Sequence, residues 1–360
     1  MKIVLIGNSD LVLYNFRKEL ISTLIKKYDE VILISPIGDK IQLLTNFGCK
    51  HYSWNLKRHS INPFQLYKEF IFLFKLIKKI KPNYILSFTI KPNIFSGIIS
   101  NILNINFIPN ITGLGRIFIR QSLLRSLVIY LYRKVFIKAK VIFLQNKSDF
   151  DFFSSLNLFP HKLFLLPGSG VNLEEFKFVK YPKETSGINF LYLGRIIKEK
   201  GIYLYIEAAK IIKTKYKNVN FIVAGFTEKK HDTIFRKAIK EGTIVYKGNL
   251  INVFHLISNI HCLIQPSFYP EGISNVILES SAVGRPVITS NNSGCIDAVL
   301  NNETGFIFKK GELNELINSI EKYITLSFED KNKFSINSRK FMHENFDRKI
   351  VINTYLKYIE

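Results

Sequence analysis

A parallel α/β architecture in two halves is the fold class this sequence predicts, and three observations predict it. Short β-branched apolar runs alternate with longer amphipathic stretches along the chain. The series pauses at a polar stretch over 179–187 that carries Pro182, Ser186 and Gly187. The 360 residues suffice for two cores of ordinary size.

Taken in order, the apolar runs at 3–6, 31–35, 84–88, 107–110, 141–145 and 163–166 read as buried strands, with helices between them at 16–27, 63–80 and 123–139. A second series starts at 190–193 and continues at 220–224, 243–247, 262–265 and 286–289, with a helix over 202–213 and a helical tail over 331–360. The expected domains are 1–178 and 188–345, each Rossmann-like, with 346–360 a helix packing back on the first. Ligands of such sheets sit at the carboxyl ends of the strands, so a cleft between the halves is expected.

Other readings narrow the class. The first run, Ile3 to Ile6, is too short for a signal peptide and lacks a small-residue cleavage site. The stretch 122–144 comes closest to a membrane span, but Arg125, Arg133, Lys134, Lys138 and Lys140 interrupt it. Cys49, Cys262 and Cys295 are odd in number and widely spaced, which fits a reducing compartment and no zinc site.

The net charge of +23 is uneven: residues 1–170 hold 24 Lys and Arg against 8 Asp and Glu, a difference of +16, leaving +7 for the rest. Between Cys49 and Asp149 the one acid is Glu69. Such a block attracts polyanions. Aromatic residues interleave the cations, as Phe70, Phe72 and Phe74 do with Lys75, Lys78 and Lys79, and that mixture suits an anionic membrane surface. No nucleic-acid motif accompanies it, so nucleic acid is not an expected partner.

Two segments carry the chemistry. Leu193-Gly194-Arg195 ends a strand, and Lys200-Gly201 opens the next helix. Arg grips phosphate oxygens bidentately and Lys adds a point charge. In Glu271-Gly272-Ile273-Ser274-Asn275-Val276-Ile277-Leu278-Glu279, a turn leads into a helix capped by Ser274, with carboxylates at either end. The N–H groups from Ser274 to Ile277 form an expected anion site, and the two acids suit sugar hydroxyls. Cations for a diphosphate beside acids for hydroxyls read as a nucleotide-sugar site. Asp149-Phe150-Asp151 matches a metal-holding D-x-D pattern, but helix-start acids after Asn146 explain it as well. No metal site and no cofactor are expected; His255 and His261 read as structural or exposed.

The chain resembles the retaining glycosyltransferases of family 4, which have the GT-B fold. The likeness runs through IGNSDLVLYNFRKEL, TIKPNIFSG, NITGLGRIF, LPGSGVN, LGRIIKEKG and EGISNVILESSAVGRPVI, and is strongest to bacterial enzymes that build polysaccharide or protein-linked glycans on polyprenyl diphosphate. The resemblance implies that Arg195 and Lys200, with Gly194, hold the donor diphosphate. Glu271 and the backbone of Gly272, Ile273, Ser274, Asn275 and Val276 would meet the donor hexose, and Glu279 the ribose. Glu271, Arg195 and Lys200 would be the catalytic residues. Gly7 and Asn8 would serve the donor phosphates or the acceptor, and the base would lie near 246–249, including Gly248. Many relatives carry a His facing the sugar where this chain has Thr89, Ile90 and Lys91. Lys91, Asn93, Thr112 and Arg116 are the acceptor-side candidates. The implied partners are a UDP-sugar and a polyprenyl-diphosphate-linked glycan, at the cytoplasmic face of the membrane. A nucleotide-sugar epimerase of the same fold is the alternative.

Overall fold

The computed structural model describes residues 1–57, 60–118, 121–227 and 232–359, apart from the side chain of Arg116. The chain forms two compact units, Met1–Ser169 with Ile350–Glu360, and Gly170–Lys349.

The first unit contains β1 (Lys2–Ile6), α1 (Asp10–Lys27), β2 (Glu30–Ser35), α2 (Ile41–Thr45), β3 (Lys50–Ser53), α3 (Pro63–Ile80), β4 (Tyr84–Phe88), α4 (Ile90–Leu103), β5 (Asn106–Ile111), α5 (Leu123–Val135), β6 (Ile142–Leu144), α6 (Lys147–Ser155) and β7 (Leu163–Leu165). Its sheet is parallel, in the order β3-β2-β1-β4-β5-β6-β7, so the winding reverses between β1 and β4. Apart from Lys2 and Ser87, strands such as β1 and β4 are apolar because helices cover both faces of a parallel sheet. The sequence places α1 six residues late. Ser9 caps it by accepting from the Val12 N–H at 3.3 Å, and Asp10 opposes the positive end of the helix dipole. In α3, Asn62 caps the N–H groups of Phe64 and Gln65 and Pro63 takes the first position, where a missing N–H costs nothing. Leu73, Ile77 and Ile80 recur at helical spacing, buried against the sheet. Leu73→Ala would cost ~2–5 kcal/mol.

The second unit contains β8 (Ile188–Leu193), α7 (Ile202–Lys215), β9 (Val219–Ala224), α8 (Thr233–Lys240), β10 (Val245–Tyr246), α9 (Phe254–Ser258), β11 (Cys262–Gln265), α10 (Asn275–Ala282), β12 (Val287–Ser290), β13 (Gly305–Phe308), α11 (Leu313–Thr325) and α12 (Phe328–Asn345). Its parallel sheet runs β10-β9-β8-β11-β12-β13. This is the same winding, and its reversal lies between β8 and β11. The last helix, α13 (Arg348–Ile359), returns to the first unit. Its Val351, Tyr355 and Ile359 join Ile3, Leu5 and Leu86 in one core, and the Tyr355 hydroxyl accepts from Asn110 Nδ2 at 2.6 Å.

The boundary expected at 178 falls instead after Ser169. Val171 bridges to Asp347, donates to the Phe346 carbonyl and accepts from the Arg348 N–H, and Leu173 and Phe176 are buried in the second unit's core. The polar stretch 179–187, expected to link the halves, is built into that unit: Lys180 offers its carbonyl to Arg285, and Glu184 pairs with the buried Lys331 at 3.0 Å.

Candidate functional site

The two chemically loaded segments meet at the winding reversal of the second sheet, the place where open α/β sheets take ligands. One follows β8 and the other follows the neighbouring β11. Beyond β8 the Tyr192 hydroxyl donates to the Arg195 carbonyl at 2.8 Å, and burial pushes that phenol well above its ordinary range, so it stays a proton-bearing donor. The chain then makes a 3-10 turn, Lys198–Lys200, into Gly201. Gly201 has φ +81°, and a Cβ there would strike the Pro266 carbonyl. That close approach presses the lysine turn against the loop after β11, where the Phe268 N–H donates to the Glu199 carbonyl at 2.9 Å.

The result is an ion pair across seventy-one positions of sequence: Lys200 Nζ lies 2.6 and 2.7 Å from the two carboxylate oxygens of Glu271. The two side chains are 11% and 21% exposed, which sets the pair apart from surface ion pairs worth about 0–1 kcal/mol. The Arg195 guanidinium lies 5.2 Å from the centre of the Tyr269 ring, and Lys200 Nζ lies 5.6 Å from it.

Ser274 does stand at the N-cap of α10, but its side chain makes no capping bond. Its N–H donates to the Gly294 carbonyl at 2.8 Å, and the Ile277 N–H to the Ser274 carbonyl at 3.1 Å. The anion site expected from four open N–H groups is therefore reduced, two of them being committed. Gly294 can approach this closely because it lacks a Cβ, which would collide with the Gly272 carbonyl. Gly272 and Ile273 are buried in the same turn, Asn275 and Val276 are half-buried in the first turn of the helix, and Glu279 is half-buried further along it. Gly194 donates to the Ala224 carbonyl, and Gly248, with φ +75°, accepts from the Gly225 N–H at 2.8 Å, so both frame the end of the β8–β10 half of the sheet.

In the first unit, Gly7 ends β1 and donates to the Ile34 carbonyl, and Asn8 follows with its Oδ1 enclosed. Two acceptor-side candidates are engaged within the fold. Asn93 is fully buried: its Oδ1 accepts from Ser87 at 2.6 Å and its Nδ2 donates to the Asn110 carbonyl at 3.0 Å, so it ties strands together. Lys91 donates to the Lys57 carbonyl at 2.7 Å and lies 3.4 Å from Glu69 Oε2. Glu69, the lone acid of the basic block, is itself buried and accepts from the Lys57 N–H and from Gln65. Thr112 follows β5, half-buried; Arg116 opens a 3-10 turn, and its side chain lies outside the described residues.

The D-x-D pair resolves into helix-start acids. Asn146 caps α6 through the Asp149 N–H, Asp149 is buried, and Asp151 pairs with Lys147 at 3.1 Å. Among the described residues no group of three or more His, Cys, Asp or Glu is arranged to hold a metal. His261 is buried, its Nδ1 accepting from the Asn189 N–H, and burial lowers its pKa; His255 is exposed. Sequence reasoning missed Tyr269 and Gly294, whose contacts depend on residues far along the chain.

Comparison with known proteins agrees with this architecture. The family model "Glycosyl transferases group 1" matches residues 174–341, and "Glycosyl transferase 4-like" matches residues 2–146. The N,N'-diacetylbacillosaminyl-diphospho-undecaprenol alpha-1,3-N-acetylgalactosaminyltransferase of Campylobacter jejuni is 26% identical over 376 residues, covering 99% of this chain and 98% of that protein. The capsular polysaccharide biosynthesis glycosyltransferase CapM of Staphylococcus aureus is 31% identical over 210 residues, 53% of this chain and 54% of that one. A glycosyltransferase from Rickettsia africae shares the fold with a TM-score of 0.81 at 19% identity, over 99% of this chain and 97% of the other. Anabaena HepE, solved with UDP, does so with a TM-score of 0.81 at 16% identity, over 99% and 98%. With one family model on each unit, the chain belongs to the glycosyltransferases of group 1, of the 4-like kind, and has the GT-B fold.

Proposed function

We propose that this enzyme transfers a hexose-type sugar from a UDP-sugar to a polyprenyl-diphosphate-linked glycan, with retention at the anomeric carbon, in the building of a surface polysaccharide or glycan. The observation that carries the reading is the convergence of Arg195, Lys200 and Glu271 at the winding reversal of the second sheet. The Campylobacter relative, named for transfer to a diphospho-undecaprenol-linked sugar, supports the acceptor class. Anabaena HepE, solved with UDP and with UDP-glucose, supports the nucleotide.

In this reading Arg195 and Lys200 neutralise charge growing on the departing diphosphate, preorganised in a partly water-excluded site where such contacts are strongest. Gly194 and the turn Gly272–Val276 bring backbone close to the donor, Glu271 orients the hexose and stabilises positive character at the anomeric carbon, and Glu279 takes ribose hydroxyls. Gly248 borders the base. Gly7, Asn8, Thr112 and Arg116 are the first-unit candidates for the substrates. The two cations take the role a divalent ion has elsewhere, so activity is expected to survive EDTA.

Residence at the cytoplasmic face of the membrane belongs to the same proposal. Among the described residues no helix is long and apolar enough to span a bilayer. The basic first unit, however, exposes Phe64 and Tyr67 on α3 and Leu123, Leu127 and Tyr130 on α5, near Lys68, Arg125 and Lys134. That is a surface for anionic lipid. Flotation with anionic but not zwitterionic vesicles, weakened by salt, is the expected result; equal recovery with both rejects the membrane part.

The deciding experiment is calorimetric titration with UDP, GDP and ADP in EDTA, with Arg195→Ala alongside. UDP binding that the variant abolishes is expected. Preference for GDP or ADP would change the donor, and no binding to any would remove the nucleotide reading.

A further inference from the structure

We infer that Tyr269 is a positioning residue for the two cations, its ring a shared platform that holds Arg195 and Lys200 in place without neutralising them. The inference rests on the proposed role of those cations in binding a diphosphate. Both lie over the one ring, at 5.2 and 5.6 Å from its centre, although they come from the turn after β8 and the ring comes from the loop after β11.

The backbone that carries the ring is held from several directions. The Tyr269 N–H donates to Ser267 Oγ at 3.2 Å, and its carbonyl accepts from Asn292 Nδ2 at 2.8 Å. Asn292 is itself buried, and the Ser267 carbonyl accepts from the hydroxyl of Ser290 at the end of β12. On the other side, the neighbouring Phe268 N–H is bonded to the Glu199 carbonyl, one residue from Lys200. The loop that carries the ring is thus tied to β12 and to the lysine turn at once.

The chemistry explains why an aromatic ring serves here. Two like charges that must converge on one dianionic group repel each other while the site is empty. A carboxylate would hold them, and Glu271 does hold Lys200, but each added carboxylate also repels an incoming diphosphate. An aromatic face attracts cations through its quadrupole and carries no net charge. It lowers the cost of crowding the cations while leaving their charge available to phosphate. An aliphatic side chain would pack in the same space and give no such attraction.

The test compares Tyr269→Phe, which keeps the ring, with Tyr269→Leu, which removes it. UDP and inorganic diphosphate are titrated calorimetrically, and donor KM and kcat are measured where transfer is detected. A second readout needs no nucleotide: the NMR resonance of Arg195 Nε–H, which the ring current of Tyr269 should shift. The expected result is wild-type behaviour for Tyr269→Phe. For Tyr269→Leu, UDP and diphosphate binding should weaken on the order of tenfold, about the loss of one or two cation–π contacts, with KM rising more than kcat falls and the Arg195 resonance losing its shift. Two results overturn the inference: an unchanged resonance and unchanged affinity in Tyr269→Leu, or equal impairment in Tyr269→Phe, which would assign the role to the hydroxyl. Failure of the nucleotide reading looks different: wild type would bind neither UDP nor diphosphate while the ring-dependent shift of Arg195 persisted.

Discussion

The two sheets wind identically, each reversing direction beside its own first strand, yet the residues they present at that reversal differ in kind. The second unit presents charge: Lys200 bound to Glu271, and Arg195 over Tyr269. The first presents, directly after β1 and β4, uncharged polar groups and a strained backbone, while its nearby charges are tied into the fold, Asp10 accepting from the Lys40 N–H and Lys91 pairing with Glu69. Thr89, directly after β4, has φ +75° and ψ 165°, a region that non-glycine residues rarely occupy, and its Oγ1 is enclosed without a hydrogen-bond partner, as is Asn8 Oδ1 after β1. The same topology therefore delivers two stations of different chemistry, and what a strand end can bind is written in the few residues just beyond it.

Breaking the charged station should have the largest effect. Arg195→Ala or Glu271→Ala is expected to lower turnover on the order of 100- to 1000-fold, the size of a lost preorganised contact, in a transfer assay with whichever sugar donor wild type uses. Near-normal turnover in both variants would end the assignment. Next comes the framework of the same unit, at the other end of its strands. Arg285 is fully buried, and its guanidinium donates to the carbonyls of Ile257, Ser258, Lys180 and Gly284 at 3.0–3.2 Å. Arg285→Ala strands those carbonyls and opens a cavity, so denaturant titration should lose ~3–5 kcal/mol. An effect below 1 kcal/mol would mean that water replaces the guanidinium.

A smaller effect, of opposite sign, sharpens the contrast from the first unit. Thr89→Gly releases the strained φ and should stabilise the chain by ~1 kcal/mol, set against the added flexibility of glycine in the unfolded state. A lower melting temperature would show that the Thr89 side chain contributes more than its backbone costs. The smallest effect is on pH dependence. Burial depresses the His261 pKa below its ordinary value near 6.5. The unfolded chain therefore binds the proton first as pH falls, and the stability held above the unfolded value declines between that value and the depressed folded one. His261→Gln should flatten that part of the stability–pH curve; an unaltered slope would assign it to other groups.

Much of this was readable in the chain. Apolar runs marked most strands, and the spacing within LGRIIKEKG and EGISNVILE marked the charged station. What escaped had physical causes. β3, Lys50–Ser53, carries no apolar run because it is an edge strand. The start of α4 was hidden because Thr89 enters it through a strained φ without a side-chain cap. The domain boundary was misplaced because a polar stretch resembles a linker unless the distant Arg285 and Lys331 that receive it are known. The structural partners of Lys91 and Asn93, namely Glu69, Ser87 and Asn110, are ones that only the folded chain brings together. Pairing of Lys200 with Glu271, and the shared ring of Tyr269, are long-range facts of the same sort.

The return of α13 to the first unit has a consequence for biosynthesis. Val351, Tyr355 and Ile359 complete a core whose other members, such as Ile3, Leu5 and Leu86, leave the ribosome before any of residues 170–349. At ~5–20 residues per second, that half-finished core waits on the order of 10–40 s with an apolar face uncovered. The nascent chain thus carries an uncovered apolar face throughout the synthesis of its second unit, and a chain released just after residue 349 would hold a complete second unit beside a first unit that still lacks Val351, Tyr355 and Ile359.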